Sequence, residues 1–149
     1  MTRRNLMAAL AAAPLARAQE PSAAIHQEID LPATPARVYK ALTDDKQFAA
    51  FSGMAAKIDA RAGGEFSLFE GLIVGRNIEL VPDKRIVQAW RPTSWPAGLY
   101  SIARFELEPH DSGTHIVFDH TAFPPDKRDS LASGWNEHYW DRLKKYFAQ

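Results

Sequence analysis

Residues 126–147 read DKRDSLASGWNEHYWDRLKKYF, and this stretch decides the fold. Its large apolar side chains recur at steps of three to four residues, which is typical of one apolar helix face: Leu131, Trp135, Tyr139, Leu143 and Tyr146 or Phe147. At about 1.5 Å per residue, such a helix is roughly 30 Å long, the width of a small domain. Because a face this aromatic must be buried, the helix needs a broad sheet to pack against.

Both ends of this helix carry residues that favour helix termini. Asp126 follows two prolines and is expected to cap the first turn, while Lys144 and Lys145 in the last turn suit the helix dipole. Gly134 costs about 1 kcal/mol relative to alanine inside a helix, so we expect it to allow close sheet contact or to mark a kink. Trp140 lies one position off the apolar face, and we expect it to pack on the first helices of the domain.

The preceding chain predicts the sheet. Residues 25–31 alternate between apolar and polar, as a half-buried strand does, and Thr34-Pro35 then starts a short helix. A second short helix starts at Asp44 or Asp45 and ends at Gly53. Apolar alternation then predicts about six antiparallel strands, at residues 56–60, 65–70, 72–81, 85–91, 99–108 and 114–123.

The predicted fold class is therefore α+β. A curved antiparallel sheet of about seven strands wraps around the long C-terminal helix, with two short helices after the first strand; this is a helix-grip arrangement. It leaves a hollow between sheet and helix unless large side chains fill it. Residues 25–147 form a single domain, with no internal repeat or boundary.

The first 18 residues are expected to be a secretory signal peptide. Arg3-Arg4 precede a weakly apolar run from Leu6 to Leu15, and cleavage is expected between Ala18 and Gln19. The paired arginines indicate the twin-arginine route. Residues 19–24 would then form a short leader. The expected location is periplasmic or secreted.

The amino-acid composition argues against several classes of function. Cleavage would remove three of the 18 basic residues and no acidic one, leaving 15 basic and 18 acidic residues, so nothing favours nucleic acid as a partner. The chain has no cysteine, and its five histidines show no metal-ligand spacing, so neither a metal nor a cofactor is predicted. No later stretch is long and apolar enough to span a membrane.

An ordered set of residues resembles the domain of activators of the heat-shock protein 90 ATPase. The set spans the whole domain: Gly63-Gly64-Glu65-Phe66, Gly71, Gly75, Glu79, Pro82, Arg85-Ile86-Val87, Trp90, Trp95-Pro96, Ser101, Thr114, Gly134-Trp135 and Tyr139-Trp140. The resemblance implies the START-like, SRPBCC superfamily. Its members hold apolar ligands in the helix–sheet hollow, catalyse there, or serve as protein-binding modules, and fold alone does not choose among these.

An export signal is at odds with a cytosolic ATPase as client, so the preferred function is binding of a small hydrophobic or amphipathic molecule in the hollow, without catalysis. Ten residues are predicted to line it: Phe66, Leu68, Glu70, Trp90, Trp95, Arg104, Phe118, His120, Trp135 and Tyr139. The aromatic residues either wall an apolar pocket or fill it, and Trp95 is expected at its rim.

Two alternatives remain open. A cyclase- or hydrolase-like enzyme would use His120, which shares a strand face with Ile116 and Phe118, together with Glu70 or Arg104. The competing interpretation is that His120 is a bonded core residue, that Glu70 reaches solvent and that Arg104 covers the outer face. The second alternative is an envelope protein-binding or co-chaperone-like module, which requires an exposed apolar patch.

Overall fold

The computed structural model describes residues 23–149. The predicted signal peptide, its cleavage point at Ala18–Gln19 and most of the leader lie outside the described residues. Within them, no helix is long and apolar enough to cross a membrane.

Seven antiparallel strands form one curved sheet, which confirms the predicted fold class. The strands are β1 (Ala24–Leu31), β2 (Lys57–Ile58), β3 (Glu65–Leu68), β4 (Ile73–Val81), β5 (Arg85–Pro92), β6 (Ser101–His110) and β7 (Gly113–Thr121). Their order in the sheet is β1-β7-β6-β5-β4-β3-β2. Strands β2 to β7 therefore each pair with the next strand in the chain, and β1 pairs with β7. The predicted strand at residues 56–60 shortens to two residues, and the one at 65–70 ends at Leu68.

Two short helices cross from β1 to β2, and both begin at the predicted caps. Helix α1 is Pro35–Thr43, and the Thr34 hydroxyl accepts a hydrogen bond from the Arg37 N–H at 3.3 Å. Helix α2 is Asp45–Ser52, and the Asp44 carboxylate accepts from the Gln47 N–H at 3.0 Å. Gly53 ends α2 in the left-handed conformation that glycine adopts without steric cost.

The C-terminal helix, residues 125–147, is not uniform. It begins as a 3₁₀ turn (Pro125–Lys127), continues as α3 (Arg128–Trp135), passes through a π-helical segment (Asn136–Trp140) and ends as α4 (Asp141–Phe147). The capping prediction for Asp126 is wrong, because that residue lies inside the 3₁₀ turn and no described side chain caps α3. In the π segment the Asp141 N–H donates to the carbonyl of Asn136, five residues back.

The π segment changes which side chains face the sheet. It turns both Tyr139 and Trp140 into the core, where each is buried. The indole N–H of Trp140 donates to Gln27 Oε1 on β1 at 2.6 Å, and its ring lies 5.2 Å from that of Phe118 on β7. Trp140 was predicted to pack on the first helices, whereas its indole N–H and its ring contact the sheet, because one inserted residue shifts the helical phase.

The core lies between the inner face of the sheet and the C-terminal helix. Trp135 is at its centre, with its ring 4.2 Å from both Phe118 and Tyr139 and 5.8 Å from Phe105. The outer face of the sheet carries charged residues. Among them is the predicted pair of Glu79 with Arg85, at 3.5 Å.

Candidate functional site

An open cavity of about 300 Å³ lies between the C-terminal helix and the β3–β5 part of the sheet. Its wall is mostly apolar. The lining residues come from the helix, from β4 and β5, from the β3–β4 turn and from the chain after α2: Met54, Phe69, Leu72, Ile73, Trp90, Pro92, Ser130, Leu131, Gly134, Trp135, His138 and Tyr139. The aromatic residues of the core therefore fill only part of the predicted hollow.

Gly134 leaves the helix side of the cavity open. A Cβ atom built on it would meet only His138 Cδ2, at 4.0 Å, so no described neighbour demands a glycine there. The expectation that Gly134 allows close sheet contact is wrong, whereas the expected irregularity does occur, two residues later, where the π segment begins. Single-turn π segments of this kind are frequent at functional sites.

The wall opposite the helix contains a strained turn. Phe69 and Glu70 both adopt positive φ angles, 54° and 58°, between β3 and β4. The Gly71 N–H donates to the Leu68 carbonyl at 3.1 Å, which closes the turn. A left-handed conformation costs roughly 1–2 kcal/mol for a residue with a side chain, and Asn-Gly is the sequence usually found in such turns. The strain places Phe69 in the cavity wall, with its ring 5.5 Å from that of Tyr139.

Two lining residues each carry a fully buried polar atom. Among the described residues, four buried side-chain polar atoms are unpartnered, and two of these belong to cavity-lining residues: Trp90 Nε1 and the Tyr139 hydroxyl. Their residues are only 4% and 3% exposed. Burial raises the pKa of Tyr139 well above its usual value, and the nearby Trp90 indole opposes this rise. The two groups are thus polar neighbours in the core, and both atoms are enclosed by protein and not open to the cavity.

The cavity carries little charge. None of its twelve lining residues is Lys, Arg, Asp or Glu, and the exposed His138 is the one lining residue with an imidazole. In the part of the chain that the structure describes, no group of three or more His, Cys, Asp or Glu side chains is arranged to hold a metal ion. The site is therefore suited to uncharged ligands, because burying an isolated ion in an apolar wall is very costly.

His120 is a fully bonded core residue that lies behind the cavity wall. Trp135 Nε1 donates to His120 Nδ1 at 2.9 Å, since an indole N–H can only donate. The proton therefore resides on Nε2, which donates to Ser101 Oγ at 2.7 Å, and the Ser101 hydroxyl in turn donates to the Trp90 carbonyl at 3.0 Å. Burial lowers the pKa of His120 to about 3, so the imidazole stays neutral and its lone pair is occupied.

The other two residues of the predicted enzyme lie elsewhere. Glu70 was expected on the inner face with Phe66 and Leu68, but β3 ends first, and the exposed Glu70 lies in the strained turn. Arg104 was expected in the hollow, but it lies on the outer face, where Nη2 donates to Glu106 at 2.6 Å. Both residues were wrongly included among the lining residues, and the competing interpretation, with Glu70 at solvent and Arg104 on the outer face, agrees with the structure. With His120 already bonded, these three residues form no catalytic group.

The remaining predicted residues divide between wall and core. Trp90, Trp135 and Tyr139 line the cavity. Phe66, Leu68 and Phe118 are buried on the inner face without lining it. Trp95 is buried as well, edge-on to Trp90 with 6.1 Å between their ring centroids, so it is not a rim residue.

The residues at the rim of the cavity were not among the predicted ones. The rim includes Met54 and Leu72, which are exposed apolar residues, together with His138. Sequence reasoning treated Leu72 as part of a strand, whereas it lies in the turn before β4. The sequence feature that indicates this site is Gly134, because a glycine on the buried side of a helix leaves space next to it.

The sequence matches a family model described as activator of Hsp90 ATPase homolog 1-like protein, over residues 32–148. The chain belongs to this family. It is 27% identical over 115 residues to human activator of 90 kDa heat shock protein ATPase homolog 1, and 32% identical over 119 residues to an uncharacterised protein of Schizosaccharomyces pombe. These matches cover 77% and 80% of this chain, which spans about a third of the length of the curated relatives it matches (34% and 35%).

Solved structures share the fold at low identity. An HSP90 activator from Plasmodium falciparum superposes with a TM-score of 0.77 at 22% identity, covering 84% of this chain and 96% of that one. CalU16 from Micromonospora echinospora superposes with a TM-score of 0.72 at 22% identity, covering 84% of this chain and 76% of that one. At these identities the likeness shows the helix-grip fold alone.

Proposed function

We propose that this domain binds a small, uncharged, hydrophobic molecule in the cavity between sheet and C-terminal helix, without catalysing a reaction. The observation that carries the proposal is the open apolar cavity of about 300 Å³ left beside Gly134. Ligand cavities in proteins range upward from about this volume. The bonded, neutral His120 argues against the enzyme alternative, and so does the position of Glu70 and Arg104, which are exposed and do not line the cavity.

The size of the cavity suggests the size of the ligand. An engineered apolar cavity of roughly 150 Å³ binds benzene, so a volume about twice as large suits two fused rings. Naphthalene is therefore a suitable first probe. Because Trp90 and Trp135 line the cavity, binding should change their fluorescence.

The experiment compares two leucine substitutions on the same helix. Gly134→Leu places a side chain in the cavity, whereas Ser133→Leu places the same side chain on the exposed face. We expect saturable fluorescence quenching by naphthalene in the parent protein and in Ser133→Leu, and at least a tenfold loss of affinity in Gly134→Leu. No saturable quenching in the parent protein, or equal affinity in all three proteins, would refute the proposal.

Export remains part of the proposal. Arg3-Arg4 and the apolar run up to Leu15 support a signal peptide that directs the domain to the periplasm or the medium. Fusing residues 1–24 to a reporter that is active only after export tests this. Replacing Arg3 and Arg4 with lysines should abolish transport by the twin-arginine route, and a reporter that stays inside the cell would contradict the proposal.

A second candidate is a protein-binding module, because the family is named after activators of the Hsp90 ATPase. Leu72 at the cavity rim is 59% exposed and would belong to such a surface. Stimulation of a purified Hsp90 ATPase by the parent protein, lost in Leu72→Ser, would favour this candidate. Unchanged ATPase rates together with naphthalene binding would favour the ligand-binding function.

A further inference from the structure

The apolar residues of the C-terminal helix follow one another at steps of four, which a regular α-helix does not keep on one face: Leu131, Trp135, Tyr139, Leu143 and Phe147. Because an α-helix turns by about 100° per residue, each step of four overshoots a full turn by about 40°, and four steps overshoot by about 160°. The last four of these residues are nonetheless buried in one core. The π segment corrects the phase, since one inserted residue takes back about 100° and keeps all five within one apolar face.

Gln27 of β1 contacts the helix on both sides of this phase change. Its Nε2 donates to the carbonyl of Ala132, before the π segment, at 3.2 Å, and its Oε1 accepts from Nε1 of Trp140, the last residue of the segment, at 2.6 Å. Without the inserted residue, Trp140 would be rotated by about 100° relative to Ala132, so one amide could not reach both. The amide of a glutamine carries a donor and an acceptor, which these two partners require. Its pair of hydrogen bonds therefore fits the π form of the helix and not the regular one.

The position of Gln27 in β1 is one where packing alone favours an apolar residue. Its neighbours on the same strand face, Ile25 and Ile29, are buried, and Phe118 lies opposite it on β7. Removing an amide from water costs free energy unless hydrogen bonds replace those to water. Since both ends of the amide bond to the helix, the helix explains the polar residue at this position.

We infer that Gln27 is the positioning residue of the cavity, because its amide holds the helix in the π form that brings His138 and Tyr139 to the cavity beside Gly134. Gln27 does not itself line the cavity. The lining residues up to Trp135 precede the π segment, whereas His138 and Tyr139 lie within it, so the helix side of the cavity depends on the phase between the two groups. The effect of Gln27 on ligand affinity rests on the proposed function, whereas its effect on the helix does not.

The first variant, Gln27→Met, keeps the length of the side chain and removes both hydrogen bonds. We expect naphthalene to bind about fivefold more weakly, because a smaller fraction of the molecules then has the helix in the cavity-forming phase. The indole N–H resonance of Trp140 should move upfield, and amide hydrogen exchange at residues 136–141 should become faster. Glu28→Met, on the exposed face of the same strand, is the matched control and should change none of these three readouts.

The second variant, Gln27→Glu, distinguishes a bridge across the π segment from a simple contact with Trp140. It keeps the acceptor for the indole N–H and loses the donor to the Ala132 carbonyl. We expect the indole resonance to stay downfield, while amide exchange at residues 136–141 still becomes faster and naphthalene affinity falls by about threefold. Exchange and affinity equal to those of the parent protein would mean that the bond to Ala132 has no effect, and would overturn the inference.

The outcomes separate the role of Gln27 from the binding function. Unchanged amide exchange at residues 136–141 in Gln27→Met would overturn the hold on the helix, whatever the affinity. Faster exchange with unchanged naphthalene affinity would overturn the positioning role and leave the binding function standing. If the parent protein does not bind naphthalene, the binding function fails and the positioning role fails with it, while the exchange rates still decide whether Gln27 holds the π form.

Discussion

Replacing Gly134 with alanine should stabilise the protein. The residue lies within α3, and the added Cβ would find only His138 Cδ2, at the ordinary contact distance of 4.0 Å. With no steric cost, the difference in helix propensity remains, which is about 1 kcal/mol in favour of alanine. For a domain of this size that corresponds to a rise of roughly 4 °C in melting temperature.

The assay is urea unfolding followed by circular dichroism, with Gly63→Ala as the matched control. A Cβ on Gly63 would likewise have no heavy atom within 4 Å, but the φ angle of this residue is +84°. There alanine should destabilise by about 1 kcal/mol through backbone strain alone. The same substitution should therefore have opposite signs at two equally uncrowded positions.

A destabilisation of Gly134→Ala by about 1 kcal/mol or more would refute the reasoning. It would mean that the helix packs against the sheet at Gly134 more closely than the structure shows, so that no cavity exists there. If Gly134→Ala is more stable than the parent protein and Gly134→Leu does not bind naphthalene, then the glycine is needed for ligand binding and not for stability.

Three further predictions concern the residues around the site. Ser101→Ala removes the acceptor for His120 Nε2–H and should cost about 1–3 kcal/mol in urea unfolding while leaving naphthalene affinity unchanged; a loss below about 0.5 kcal/mol would contradict the bonding pattern. Between pH 6.5 and about 3 the unfolded chain protonates His120 and the folded protein does not, so its contribution to stability is lost as the pH falls through this window. His120→Gln should flatten that acid dependence, by about 5 kcal/mol, and an unchanged pH profile would contradict a neutral buried imidazole. Glu70→Gln and Arg104→Gln should leave ligand affinity within about twofold of the parent value by fluorescence titration, because both side chains are exposed and neither lines the cavity.

The fold was predictable because it depends on patterns that are local in sequence. Strand alternation and the caps at Thr34 and Asp44 act over a few residues, and both helices and most strands formed close to the expected positions. The sequence also indicates which face of each strand points toward the C-terminal helix. Once the aromatic positions of β7 face the helix, Asp119 must face outward, where it contacts His26 at 2.6 Å.

The site was less predictable because it depends on departures from those patterns. The inserted π residue changes the helical phase after Trp135, which a fixed step of 3.6 residues does not anticipate. The strained turn ends β3 early and moves Glu70 out of the sheet. The partners of His120 are 15 and 19 residues away, so only the folded chain shows that its nitrogens are occupied.

Two features that each reduce stability lie at one cavity: the left-handed Phe69-Glu70 pair and the glycine within α3. Each has a simple stabilising replacement, namely a more permissive turn sequence or an alanine. They come from two separate elements, so a common local cause does not explain them. Locally unfavourable choices are expected at functional sites, where specificity outweighs stability. Their convergence is a reason, independent of cavity size, to assign ligand binding to this part of the domain.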